Sequence, residues 1–333
     1  MKKLIIIIFY TITYCFSQTL DDAIKGPIPG MTYTSDIGKF NINANYTNHS
    51  VESIFDENGE EISISDQMMF TLDGISFSPI PGIAYPELLI NGLIVNGSYT
   101  LTKKGGVSVS IPIITKQELN INPSIGYENW FDNDLGSRSH YNGQTGIGDI
   151  AIGGWYQISN NQNIRTLAAA SYTLSTGTSP NDKEESNYGS TGSGHTSINF
   201  GINTDYFKAP YILLSSYGYY IINQKGEFSS DGISLEDKHS NKIGCNGRVS
   251  ILAYPQLSLA MDIKYLSAGT SKLNGETIEN SDINLFTLAP LVGYQIIIGS
   301  TRVNLIGSFP LISISGKNYG KLSGFGINTG IYF

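Results

Sequence analysis

From Phe40 onward the chain alternates between two kinds of position. Phe40, Ile42, Ala44 and Tyr46 interleave with Asn41, Asn43 and Asn45, and a period of two puts one set on each face of a strand. Leu93, Val95, Gly97, Tyr99 and Leu101 oppose Ile94, Asn96, Ser98 and Thr100. After Lys103-Lys104-Gly105-Gly106, Val107, Val109, Ile111 and Ile113 oppose Ser108 and Ser110, which predicts a tight hairpin. The pattern recurs with Ile152, Tyr156 and Ile158 against Asp149, Ala151 and Gln157. It recurs again with Ile198, Phe200, Ile202 and Tyr206 against Asn199, Asn203 and Asp205. Further on, Ile243, Val249 and Ile251 oppose Asn246, Arg248 and Ser250, and Leu259, Met261, Ile263 and Tyr265 oppose Ser258, Asp262 and Lys264. Val303, Leu305 and Phe309 oppose Arg302, Asn304 and Ser308. In the closing stretch Phe325, Ile327, Thr329, Ile331 and Phe333 oppose Gly324, Gly326, Asn328, Gly330 and Tyr332. Strands are also expected near Ile164 to Leu174 and Tyr211 to Ile222. Asp282 to Tyr294 is apolar on both parities and takes no orientation from its pattern.

These stretches make about twelve strands, with connections alternating long and short and a long one expected before the last strand; outer-membrane barrels show this order because their periplasmic turns are short and their external loops long. A soluble sandwich would bury its apolar faces between two sheets and has no reason to alternate its loops in this way. The expected fold is all-β, a transmembrane antiparallel up-and-down β-barrel over residues 39–333 in a bacterial outer membrane. Outer-membrane lipid would cover the apolar face, and the polar face would line the lumen. The terminal strand, with Phe325, Ile327, Ile331 and Phe333 on one face, resembles the C-terminal signal by which the barrel-assembly machinery recognises such proteins.

Ahead of the barrel, Lys2 and Lys3 precede an apolar run from Leu4 to Phe9 that fades by Phe16, which reads as a secretory signal peptide over 1–17. Residues 18–38, with Pro27 and Pro29 and no clear period, are expected to form an irregular segment or a short plug inside the lumen. Of two cysteines, Cys15 would leave with the signal, so Cys245 has no intrachain partner. The formal net charge of −8 argues against nucleic acid as a partner. Asp56-Glu57-Asn58-Gly59-Glu60-Glu61 has its glycine misplaced for a calcium loop and reads as an Asn-Gly turn. No metal or cofactor is expected.

Twelve strands fall between eight, which side chains fill, and sixteen, which leave an open channel. By parity the lumen carries Asn199, Asn203, Asp205, Arg248, Asp262, Lys264, Arg302 and Asn304. Most of these charges lie near the short turns, where they either form a permeation constriction or neutralise one another and hold the barrel's shape. Two rival classes stay open. One is a hydrolase using the loop histidines His49, His140, His195 and His239 with nearby acids, and the other is a structural or adhesive barrel.

Gly146-Ile147-Gly148-Asp149-Ile150, followed by Gly153 and Tyr156, resembles a Gly-x-Gly-Asp strand of the outer-membrane family named for the meta-pathway of phenol degradation. The hairpin from Asn96 to Pro112 is similar to that family too. The family is similar in turn to FadL and toluene-type channels, although residues 18–38 are shorter than a FadL hatch. The resemblance implies a passive channel for small hydrophobic molecules, with Asp149 joining the candidate permeation residues.

Overall fold

The structure is a computed structural model that describes residues 19–63, 70–72, 75–77, 84–123, 140–178, 191–208, 212–230, 233–279, 281–317 and 319–333. The expected signal peptide over 1–17 lies outside the described residues. Twelve antiparallel strands close into one barrel. They are β1 (Phe40–Phe55), β2 (Ala84–Thr102), β3 (Gly105–Pro123), β4 (Ala151–Asn160), β5 (Ile164–Thr173) and β6 (Ser197–Lys208). The second half comprises β7 (Ile212–Asn223), β8 (Lys242–Tyr254), β9 (Leu257–Ala268), β10 (Ile283–Ile298), β11 (Thr301–Lys317) and β12 (Tyr319–Tyr332). Each strand pairs with its neighbours in sequence, and β12 pairs with β1 from Asn41 opposite Tyr332 to Phe55 opposite Tyr319, which removes the open edge.

Residues directly opposite across an antiparallel pair share a face, so the registers test every parity at once. Asp205 stands opposite Ser215 and Arg165, Arg248 opposite Ser215 and Asp262, and Asn45 opposite Asn328. All of these face the lumen. On the other face Ile202 is 54% exposed, Leu259 50% and Ile298 66%, part of an apolar surface that runs around the barrel. Cys245 also points outward. An apolar exterior of this extent on a closed sheet is stable only against hydrocarbon, and the chain is an outer-membrane β-barrel.

The connection before the last strand departs from expectation. It is the single residue between Lys317 and Tyr319, because β11 and β12 run on through the stretch read as a loop. The cause is a register shift between Ser308 and Leu311 that resets the alternation and hides the continuation of the strand. The Asn58-Gly59 turn forms as expected. Gly59 adopts φ +82° and the Asp56 carboxylate accepts from the Asn58 and Glu60 amides, both at 2.8 Å.

Candidate functional site

Of the residues before β1, the described ones from Thr19 onward pack against the lumen side of the wall. A five-residue helix, α1 (Leu20–Ile24), starts with a capping box in which the Thr19 hydroxyl accepts from the Asp22 amide and the Asp22 carboxylate accepts from the Thr19 amide. Its apolar side, Leu20, Ala23 and Ile24, packs on Phe207, Leu213 and Leu252, the lumen-facing residues at the short-turn ends of β6, β7 and β8. Burying Leu20 and Ile24 contributes about 1.5–3 kcal/mol each. Arg165 reaches Asp21 from β5.

Past the helix the chain has no regular structure, so its main-chain groups need partners from the wall. The wall provides them. Asp205, fully buried, accepts from the Met31 amide at 3.0 Å, the Thr32 amide at 2.7 Å and the Thr32 hydroxyl at 2.6 Å. Asn304 donates to the Gly26 carbonyl at 3.0 Å, and Gln295 donates to the Lys25 carbonyl and to the Asn304 side-chain oxygen, both at 2.9 Å. Arg302 donates to Lys25 O at 3.3 Å. Arg248 holds Asp262 in a two-pronged pair at 2.5 and 3.0 Å and gives its remaining arm to the Pro29 carbonyl at 3.1 Å. Contact is close enough to require glycine in two places. A Cβ on Gly30 would sit 2.3 Å from Asp205 Oδ2, and one on Gly293 would sit 2.4 Å from Ile28.

Two cavities flank this segment. One, of about 250 Å³, is lined by Met31, Tyr33, Trp155, Leu167, Asn199, Asn203 and Tyr217, among others. The other, of about 330 Å³, lies against Pro29, β1 and β8 to β12, and its lining includes Asn45, His49, Arg248, Asp262, Lys264, Leu291, Ile306 and Asn328.

The structure therefore sorts the residues expected in the lumen. Asp205, Arg248, Asp262, Arg302 and Asn304 converge on the inserted segment. Asn199 and Asn203 line the smaller cavity, with Asn199 donating to the Tyr217 hydroxyl at 3.1 Å, and Lys264 lines the larger. Asp149 serves the loops instead, accepting from the Gly177 amide, the Ser193 amide and the Ser193 hydroxyl at 3.0, 2.6 and 2.8 Å. Ile327, Ile331 and Phe333 are exposed on the outward parity, whereas Phe325, on the same parity and stacked on Phe309 at 5.6 Å, is half-buried and also borders the larger cavity. Sequence reasoning missed Gln295, which lies just past the stretch with no readable parity. It also missed Thr100, whose hydroxyl donates to the Ser35 carbonyl at 3.0 Å.

No protein-family model matches the chain, and no curated protein matches its sequence. Among solved structures, the COG4313 outer membrane channel from Pseudomonas putida F1 aligns with a TM-score of 0.63 at 14% identity, over 91% of this chain and 97% of that one. The Ralstonia pickettii toluene transporter TbuX aligns at 0.41 and 10% identity over 93% of each chain, and a Pseudomonas aeruginosa FadL homologue at 0.37 and 10% identity over 88% of each. The first likeness shows a shared fold, and at that level it bears out the resemblance to outer-membrane channels drawn from Gly146 to Asp149 and the Asn96 to Pro112 hairpin.

Proposed function

We propose that this barrel is a passive channel for small, mainly hydrophobic molecules, with residues 19–38 acting as its plug. The observation that carries the reading is the pair of cavities beside the inserted segment, since twelve strands retain lumen space that eight would fill. Mixed linings support it as well: Trp155, Leu167 and Tyr217 give the smaller cavity apolar surface, and its amides and serines keep it wettable. On this reading lipid surrounds the outer face and the barrel-assembly machinery engages the outward side chains of β12.

The hydrolase reading rests on His49, His140, His195 and His239, two of which are engaged with each other. His195 stacks on His239 with ring centroids 4.1 Å apart, joining two loops, and His49 belongs to β1. Planar-bilayer conductance and solute entry into proteoliposomes test the channel. Wild-type protein is expected to pass small uncharged solutes slowly, and a variant lacking residues 19–34 is expected to pass them faster. If both preparations match protein-free vesicles, the channel reading fails; ester or peptide hydrolysis by the detergent-folded protein would replace it with the enzyme.

A further inference from the structure

The larger cavity contains a cation that the fold leaves unused. Lys264 projects from β9 into it, and among the described residues its ammonium makes no hydrogen bond or ion pair. The acid two positions away is committed, because Asp262 takes both prongs of the Arg248 pair. The cavity thus holds two cations and one carboxylate within a chain whose formal net charge is −8, so its local charge runs against that of the molecule.

Its other polar groups suit an acceptor too. Asn45 and Asn328 stand opposite each other across β1 and β12 and present amide donors, and His49 Nδ1 is buried without a partner. Leu291 and Ile306 supply apolar wall beside them. A cation would be repelled here, and a neutral guest would leave the ammonium unanswered. A guest with two negative charges would bring one that Lys264 cannot balance and would set it near the Asp262 carboxylate on the same wall. At about 330 Å³ the cavity is at the small end of ligand sites.

We infer that this cavity binds a small monocarboxylate with an apolar body, of which benzoate is a simple case. The carboxylate sits on Lys264 with the Asn45 and Asn328 amides as further donors, and the body lies on Leu291 and Ile306. This rests on the channel reading only for how the guest reaches the cavity.

Equilibrium dialysis of the detergent-folded full chain at neutral pH, with labelled benzoate and with benzyl alcohol as its uncharged counterpart, tests the inference. Lys264→Met is expected to weaken benzoate about tenfold, the scale of one charge-assisted hydrogen bond. Lys264→Arg is expected to retain binding, and benzyl alcohol should respond to neither change. Heat-modifiable gel migration checks that each variant is folded. Absence of benzoate binding to the wild type, or equal affinity in folded Lys264→Met, overturns the proposal. Solute entry into vesicles made from the same preparations keeps the two readings apart. Entry without benzoate binding removes the carboxylate site and leaves the channel, whereas Lys264-dependent binding without entry keeps the site and removes the channel.

Discussion

Asp205 and Lys264 are lumen-facing charges on the same sheet, in opposite circumstances. Asp205 lies three residues from the short-turn end of β6, fully buried, with three donors from the inserted segment on its carboxylate. Lys264 lies deeper along β9 and faces open cavity. Facing the lumen therefore does not fix what a polar residue does. Near the short turns the wall saturates the main chain of an irregular guest segment, and farther in the same chemistry remains unspent. Asp205→Ala is the strongest way to break this contrast. It leaves a half-buried amide, a buried amide and a buried hydroxyl without their acceptor, the buried groups costing about 1–3 kcal/mol each. Trypsin should then cut after Lys25 in the folded barrel, while wild type and Lys264→Met stay protected. Equal protection of all three proteins would mean that Asp205 does not hold the segment.

The second test compares the two faces of one strand. Ile202→Arg places a charge on the lipid side and is expected to cost about 2–4 kcal/mol near mid-depth. Asn203→Arg, on the wall of the smaller cavity, should refold normally and alter conductance. Refolding titrations in urea read the difference, and equal losses would overturn the facing of β6. The rule has a limit set by occupancy. Ser258 faces inward beside outward Leu259 but is fully buried, so an arginine there meets packed atoms instead of water and should be as damaging as one at Leu259.

That limit marks how much the sequence could reveal. Alternation exposes which way a side chain points, because a strand's geometry fixes it residue by residue; hence the twelve strands, the lumen set and the outward terminal aromatics were readable. Occupancy depends on a distant segment that has no period of its own. Nothing local to Asp205 announces Thr32, and nothing local to Gln295 announces Lys25. The strand holding Gln295 was unreadable for a related reason. Its lumen side at Gly293 packs against Pro27 and Ile28 and at Leu291 lines a cavity, so both faces of β10 are apolar. The Gly-x-Gly-Asp stretch was recognisable by resemblance, yet its carboxylate ties two loops together, a role that requires Gly177 and Ser193 to be near.

A smaller effect is expected where the wall and its guest merely touch. Gly293→Ala puts a methyl group into Ile28 and the Pro27 carbonyl, and overpacking of this kind costs about 1–3 kcal/mol. Gly247→Ala, on the outward parity of β8 with open space around its Cβ position, should be silent. Thermal unfolding of the two variants, scored with cleavage after Lys25, separates a close fit from a loose one. If they melt and cleave alike, the segment does not press on β10.

The smallest effect belongs to the external end, where charged ties are wet. Glu61, on the short strand Glu61–Ser63 that folds back on β1, accepts from Lys321 at 2.7 Å and from the Ser53 hydroxyl at 2.7 Å. These bonds, Lys321 first, hold its carboxyl below the usual glutamate range. A carboxyl lowered in the folded state stabilises it above the unfolded pKa, and that contribution disappears as pH falls through the folded value. Because both side chains are solvent-exposed, the pair is worth at most about 1 kcal/mol and weakens with salt. Glu61→Gln should therefore lower stability slightly at neutral pH and converge with wild type under acid, whereas Asp205→Ala should keep its larger deficit in high salt. A Glu61→Gln deficit that persists below the folded pKa, or ignores salt, would show that this tie acts through packing instead of charge.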